Sequence, residues 1–275
     1  MVVGLGKFGL RWIVDRAPIY SYVLHELESI LQKSSNQLQL TQFNNWSEVN
    51  QLAKNQKPAG IFFIGNAPDG ENSSIPTGVP CVQIMGRLPS PLIDHVAPDH
   101  RRVWRTAAEW LIGHGHRHCA VISEAGLSLD LVTHEFAHLM QSSGGASHRF
   151  SDPDLVRIAA DRHETNAAVI ASFVDRIVKL EPRPTAIVSA MDILTPPIYQ
   201  ELRQHGIRPQ EDIAIVSINN ETPYLTSLNP KPIAIDLQPH DIALQAVQQL
   251  AWRRQHPEAA CTRSLVAPKL IEPPA

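Results

Sequence analysis

The 275 residues carry 24 basic and 27 acidic side chains, a net charge of −3, and 43% of them are hydrophobic. This is ordinary for a globular protein with a buried core, and the lack of a basic stripe argues against a chain that grips DNA by its own surface, because phosphate binding needs clustered lysine and arginine. No stretch approaches the roughly 20 apolar residues of a membrane span or resembles a secretory signal. Three scattered cysteines without zinc or disulfide spacing predict a reducing, cytoplasmic location.

Short apolar runs and longer segments of helical period alternate along the chain. The apolar runs predict strands over 10–14, 38–43, 60–64, 81–84, 119–122, 185–188, 213–218 and 265–267. The helical period predicts helices over 18–32, 101–113, 165–178, 192–205 and 241–252. Residues rich in Pro, Gly and Ser predict loops over 65–79, 86–98 and 143–154.

This alternation predicts an α/β fold in which helices cover both faces of parallel sheets. The number of repeats fits either one barrel or two doubly wound lobes. In open parallel sheets ligands bind outside the carboxyl ends of the strands, so residues that directly follow strands are the first candidates for a site.

The segment Gly4-Leu-Gly-Lys-Phe-Gly9 matches the G-x-G-x-x-G fingerprint of dinucleotide-binding proteins. That fingerprint needs a full strand before it and a helix after it. Only Met1-Val-Val precedes the motif, and residues 10–14 read as a strand. We therefore interpret the first nine residues as a flexible lead-in and predict no cofactor.

The segment His134-Glu-Phe-Ala-His138 matches the H-E-x-x-H zinc motif, in which Glu135 would be the general base. With 13 histidines in the chain and many motifs to compare, a chance match arises at roughly the few-per-cent level. The one candidate for the required third ligand is Glu164, which follows a long loop at a predicted helix start. The alternative is an amphipathic helix on which the histidines face solvent. The inward residues of this helix would be Leu131, Phe136, Leu139 and Met140. We favour this alternative and predict neither a metal site nor catalytic residues.

From about residue 10 to 272 a series of motifs, in order, resembles the effector-binding domain of LacI/GalR transcriptional repressors. The most specific motif is Val96-Ala-Pro-Asp99 followed by Leu111-Ile-Gly-His-Gly-His-Arg117. The other pieces are Pro18-Ile-Tyr20, Ala59-Gly-Ile-Phe-Phe-Ile-Gly65, Gly78-Val-Pro-Cys-Val82, Pro184-Thr-Ala-Ile187 with Asp192, Gly206-Ile-Arg-Pro-Gln-Glu-Asp-Ile-Ala-Ile-Val216, and Leu265-Val-Ala-Pro-Lys-Leu270.

The resemblance implies the fold of periplasmic binding proteins, with two doubly wound parallel-sheet lobes and a ligand cleft between them. The lobes are expected over 10–124 with 237–260 and over 125–236 with 261–275. It also implies a small-molecule effector, a sugar or sugar derivative, and a homodimer. Operator DNA would be bound only through a helix-turn-helix headpiece that these residues do not contain.

The chain departs from the family pattern where the effector is expected. Val132 stands where the family usually has an arginine that clamps sugar hydroxyls, and Met191 replaces the residue usual before Asp192. Asn219 replaces a usual carboxylate. Joint loss of the arginine and the carboxylate would preserve the local charge balance while changing the effector. The alternatives are a neutral, less hydroxylated or differently shaped ligand, or a pocket that binds no ligand.

The predicted ligand contacts are Asp15, Arg16, Tyr20, Asp99, His163, Asp192 and Asn219. Three of them have a structural alternative: Asp99 and Asp192 as helix N-caps, and Tyr20 as a core residue. The other functional hypotheses are a freestanding binding protein of the periplasmic type and, more remotely, a zinc hydrolase or a dinucleotide-dependent oxidoreductase.

Overall fold

A computed structural model of the chain describes residues 1–5, 18–33, 36–68, 76, 78–86, 90–124, 127–152 and 163–273. The chain divides into two compact units, one formed by Met1–Pro98 with Gln238–Val266 and the other by Asp99–Leu237 with Ala267–Ala275. The chain therefore passes between the units three times.

The helices and strands alternate as predicted. Up to Pro98 they are β1 (Val2–Leu5), α1 (Pro18–Gln32), β2 (Gln39–Gln42), α2 (Trp46–Gln56), β3 (Ile61–Ile64), β4 (Cys81–Ile84) and β5 (Asp94–Pro98). Next come α3 (His100–Gly113), β6 (His118–Glu124), α4 (Leu127–Ser142), β7 (Ala146–Asp152), α5 (His163–Val178), β8 (Ala186–Ser189) and a 3₁₀ turn (Asp192–Leu194). The chain ends with α6 (Thr195–Gln204), β9 (Ala214–Asn219), α7 (Thr222–Leu225), β10 (Ile233–Asp236), α8 (Pro239–Gln255), β11 (Arg263–Val266) and β12 (Lys269–Ile271).

The first unit is built on a six-stranded sheet in the order β11-β5-β4-β3-β1-β2, with every pairing parallel. Strands β3 and β4 are buried along their whole length, as expected for parallel strands covered on both faces. Aromatic rings fill the space between this sheet and α2, where Trp46 meets Phe63 edge to face at 5.3 Å between ring centroids.

The second unit is built on a sheet in the order β12-β10-β9-β8-β6-β7, in which only the β10–β12 pairing is antiparallel. One face of this sheet packs on α5 and α6 through a cluster of buried residues that includes Ile187, Phe173 and Ile198. On α4, Phe136 is buried and meets Trp104 of α3 edge to face at 5.7 Å.

The predicted α/β class with two parallel-sheet lobes is confirmed. Helix α1 and strand β4 have the predicted bounds, and the other predicted helices differ by a few residues at their ends. The units divide after Pro98, Leu237 and Val266, whereas the sequence placed the divisions after 124, 236 and 260. The first crossing thus comes one helix and one strand earlier than predicted.

The interpretation of the first residues as a flexible lead-in is wrong. Val2–Leu5 is a fully buried strand that pairs with both β2 and β3. Gly4 lies inside this strand. A Cβ at this position would stand 2.8 Å from the Phe43 side chain and 2.9 Å from the Phe63 side chain, so a larger residue would displace these rings. Its role is thus close packing. The predicted strand over 10–14 and the later glycines of the motif lie outside the described residues.

Two of the predicted loops contain strands. Asp94–Pro98 is a buried strand within the segment 86–98, and Ala146–Asp152 is an edge strand within 143–154. Both were missed because their residues are polar. Strand β5 begins with Asp94 and His95, whose buried side chains find partners elsewhere in the unit.

The buried carboxylate of Asp94 is neutralised by Arg253 of α8. Arg253 Nε lies 2.7 Å from one carboxylate oxygen and Nη2 lies 2.8 Å from the other. The N–H of Thr262 donates to the same carboxylate at 2.8 Å. Burial alone would raise the pKa of Asp94, but the hydrogen bonds from Arg253 and Thr262 outweigh it and lower this pKa below its usual value. This pair joins β5, α8 and the approach to β11.

We expect Asp94→Ala to lower the free energy of unfolding by about 3–5 kcal/mol, because it leaves the guanidinium of Arg253, whose side chain is only 11% exposed, without its carboxylate partner. Urea denaturation at pH 7 measures this. Folding lowers the pKa of Asp94, so this residue contributes fully to the free energy of unfolding above the usual carboxyl pKa. This contribution is lost as the pH falls through the lower pKa of the folded state. The gap between wild type and variant should therefore shrink in acid.

The exposed pair Arg208–Asp212 is the matched control for this experiment, since it has the same two-pronged geometry at 3.0 Å and 2.6 Å. Asp212→Ala should cost much less than Asp94→Ala, because water screens an exposed ion pair. Equal losses at the two sites would show that burial does not set the strength of the Asp94–Arg253 pair.

Candidate functional site

Asp192 is the first residue of the 3₁₀ turn that follows β8, and its side chain is completely buried. One carboxyl oxygen is hydrogen-bonded to Ser217 Oγ, on the neighbouring strand β9. The other accepts from the N–H of Glu221 at 2.5 Å. Asp192 therefore ties the turn after β8 to the turn after β9.

The turn after β9 has an unusual backbone. Asn219 ends the strand with φ at 116°, and Asn220 follows with φ at 64°, both in the region that favours glycine. The side-chain amide of Asn220 donates to Asp236 Oδ2 at 2.9 Å, and Asp236 is the register partner of Asn219 at the end of β10. Residues in such conformations persist where the surroundings hold them, often at functional sites.

The ends of β8, β9 and β10 thus bring polar side chains to one edge of the sheet. We call them the carboxyl-edge cluster: Asp192, Ser217, Asn219, Asn220, Glu221 and Asp236. Asp192, Ser217 and Glu221 are buried, whereas Asn219, Asn220 and Asp236 are half-buried. The cluster therefore has a buried layer and an accessible layer, and the accessible layer is the part a ligand can reach.

Burial raises the pKa of the Asp192 carboxyl well above its usual range, and the nearby Glu221 carboxylate raises this pKa further. Hydrogen bonds from Ser217 and from the N–H groups of Glu221 and Asn220 act in the opposite direction without restoring it. Ser217 Oγ also lies 2.6 Å from Thr195 Oγ1. A hydroxyl chain thus leads from the carboxyl group into the start of α6.

Of the seven predicted contacts, the structure brings Asp192 and Asn219 together. Asp99 is the N-cap of α3 and accepts from the N–H of Arg102 at 3.0 Å, which is the structural alternative named for it. Tyr20 is half-buried in α1 of the first unit. As ligand contacts, all seven residues remain predictions.

Two predicted contacts, Asp15 and Arg16, lie outside the described residues. His163 begins helix α5, and its side chain lies outside them too.

Sequence reasoning missed Ser217, Asn220, Glu221 and Asp236. A usable signal existed for Asn220 and Glu221, because both follow a predicted strand directly. Asp236 was missed because strand β10 was not predicted. The four residues of this strand come directly after Pro230 and Pro232 in the sequence. Ser217 reads as the interior of a strand, and only the fold shows that it faces Asp192.

The H-E-x-x-H motif lies on α4, where Phe136 and Met140 are buried while His134 and His138 are exposed. Glu135 is engaged by two arginines of α3, with Arg101 at 2.9 Å and Arg105 at 3.5 Å. Among the described residues no group of three or more histidines, cysteines or carboxylates could hold a metal ion. This part of the chain therefore reads as the amphipathic helix that the sequence favoured.

Residues 95–272 match the family of periplasmic binding protein-like domains, which is well over half of the chain. The chain belongs to this family. A search among curated proteins gave no significant match. The family match covers most of the second unit, including the whole carboxyl-edge cluster, and it confirms the predicted periplasmic-binding-protein-like fold.

Solved structures extend the likeness to the whole chain. A chain described as a LacI-family transcriptional regulator from Rhizobium etli has a TM-score of 0.79 at 17% identity, over 98% of this chain and 96% of that one. A LacI-family regulator from Enterococcus faecium with bound ribose has a TM-score of 0.71 at 14% identity, over 99% and 97%.

A third structure is a complex of the transcriptional regulator CelR with cellobiose, with a TM-score of 0.72 at 17% identity, over 98% of this chain and 83% of that one. At such identities the likeness shows the fold. It is the fold that the sequence motifs predicted for this member of the periplasmic binding protein-like family.

We expect protein purified without a histidine tag to hold no zinc in a one-to-one ratio, because Glu135 is paired with arginines and the histidines face solvent. Plasma emission spectroscopy measures this. The double variant His134→Ala, His138→Ala should change the free energy of unfolding by less than about 0.5 kcal/mol, as for ordinary surface changes. Zinc that is bound one per chain and lost in the double variant would restore the zinc-site hypothesis.

Proposed function

We propose that this chain is the effector-binding part of a LacI-type transcriptional regulator, and that its effector is a sugar or sugar derivative. The observation that carries the proposal is the carboxyl-edge cluster, where Asn219 is held in a strained conformation above a buried carboxyl group. Ligands of open parallel sheets bind at this edge. A LacI-family regulator described with bound ribose and the transcriptional regulator CelR described with cellobiose share the fold.

The chemistry of the cluster suits a neutral, hydroxylated ligand. Its six residues carry carboxyl, hydroxyl and amide groups, which are the groups that pair with sugar hydroxyls. Asn219 offers both a hydrogen-bond donor and an acceptor, which together match a sugar hydroxyl. The amide at this position is one of the departures from the family pattern, and it lowers the negative charge of the site.

The proposed output is control of operator DNA. The effector binds one of two conformations more tightly, shifts the population towards it and thereby alters DNA binding by a helix-turn-helix headpiece outside these 275 residues. We propose that the protein acts in the cytoplasm, without catalysis. None of the described helices has the length and hydropathy to cross a membrane. Asp15, Arg16, Tyr20, Asp99 and His163 remain proposed contacts.

Asn219→Ala should weaken binding of the effector sugar by about tenfold to a hundredfold, because loss of one partner of a buried polar contact costs about 1–3 kcal/mol. A thermal-shift screen that includes ribose and cellobiose finds the sugar, and calorimetry then gives the affinity of each variant.

The matched control is Asn55→Ala, which removes an exposed amide from α2 of the first unit. The control should bind as wild type does. Equal affinity of Asn219→Ala and wild type would remove Asn219 from the site, and a broad sugar screen without any shift would contradict the proposed class of effector.

We also propose a homodimer, as the LacI/GalR resemblance implies. Strand β2 is an edge of the first sheet, and its apolar side chain Leu40 is 42% exposed. Light scattering after size exclusion should give twice the chain mass of 30.5 kDa. Leu40→Lys should shift the equilibrium towards the monomer. A wild-type monomer at all concentrations would contradict the proposal.

A further inference from the structure

The turn Asn219–Asn220 needs an external hold, because two consecutive non-glycine residues have positive φ. We propose that Asp192 is the positioning residue that fixes this turn from beneath, so that it acts on effector affinity through Asn219 and does not touch the effector. The effect on affinity rests on the proposed function, whereas the hold on the turn stands independently of it.

The contacts of Asp192 bracket Asn219. Before it in the chain, Ser217 is hydrogen-bonded to one carboxyl oxygen. After it, the N–H groups of Asn220 and Glu221 are bonded to the carboxyl group, the latter at 2.5 Å. With its side chain fully buried and both oxygens engaged, Asp192 has no free surface for a ligand. Asn219, between the bracketed residues, is half-buried and keeps a reachable side chain.

Both carboxyl oxygens of Asp192 are held by hydrogen bonds in a buried setting. Burial raises its pKa well above the usual range, and the neighbouring Glu221 adds to this effect. Ser217 Oγ donates to one carboxyl oxygen of Asp192, and Thr195 Oγ1, which lies 2.6 Å from Ser217 Oγ, continues this hydrogen-bond chain. The second oxygen then accepts from the backbone N–H groups of the turn.

This arrangement makes asparagine the correct mimic of Asp192. In Asp192→Asn the amide oxygen accepts from Glu221 N–H, and the amide NH₂ donates to Ser217 Oγ, whose hydroxyl turns to donate to Thr195 Oγ1. Each hydrogen-bond partner is thus kept without a charge. In Asp192→Leu the shape is similar and every hydrogen bond is lost. The pair of variants separates hydrogen bonding from packing.

Backbone amide hydrogen exchange of the full chain, followed by NMR, tests the hold without any ligand. At Asn220 and Glu221 we expect exchange to be about tenfold faster or more in Asp192→Leu, the factor expected on loss of a buried hydrogen bond. Asp192→Asn should stay within about threefold of wild type at these amides. Amides of β6 should stay protected in all three proteins. Unchanged exchange in Asp192→Leu, or equally fast exchange in both variants, overturns the proposal.

Ser217→Ala keeps the proposal falsifiable should Asp192→Leu fail to fold. It removes the hydroxyl that orients the carboxyl group and should speed exchange at Glu221 severalfold, whereas wild-type exchange there would overturn the proposed hold.

Calorimetry with ribose and with cellobiose tests the effect on affinity. For a sugar that binds wild type, Asp192→Asn should bind within about threefold of wild type and Asp192→Leu at least about tenfold more weakly. Wild-type affinity in Asp192→Leu overturns the positioning role. If neither sugar binds wild type, the proposed effector class loses support, while the exchange experiment still decides on the hold.

Discussion

The buried carboxyl group of Asp192 organises the carboxyl edge of the second sheet. Removing a carboxyl group from water is costly unless every oxygen finds a hydrogen-bond partner, and a buried one that stays charged needs a cation as well. Asp192 has the partners but no cation among them, and Glu221 lies close by. Burial accordingly raises the pKa of Asp192, and its hydrogen bonds on both sides tie together the turns after β8 and β9.

The first unit also contains a buried carboxyl group, but there the group is paired with a cation. Asp94 is equally buried, but Arg253 supplies a two-pronged cation and the pKa of Asp94 falls. Its network ends on backbone groups of the segment before β11, so its role is to join distant parts of the chain. At the edge of the second sheet, the half-buried amide Asn219 stands between Ser217 and Glu221, the two residues bonded to Asp192, and this is why we place the effector there.

Much of the fold follows from sequence patterns, because helical and strand periods are local properties. Helix α1 and strand β4 have the predicted bounds. The elements that were missed depend on distant partners. Strand β5 reads as polar until Arg253, 159 residues beyond Asp94, is placed against it. Strand β1 contains Gly4, which only the neighbouring phenylalanines explain.

The position of the candidate site was predictable from the sequence, but the roles of its residues were not. That Asp192 and Asn219 follow adjacent parallel strands is evident from the order of the elements. Which of them is buried depends on bonds from Asp192 to Ser217 and Glu221, which span 25 and 29 residues. A sequence shows no such contact.

A crystal structure of the chain with the sugar that raises its melting temperature most is the most direct test of this account. It should show a sugar hydroxyl hydrogen-bonded to the Asn219 side chain, with Asp192 still buried beneath and out of contact. The account is contradicted if the sugar lies instead in the groove of about 570 Å³ along α6, between Tyr199, Arg203 and Leu228, and leaves Asn219 bare.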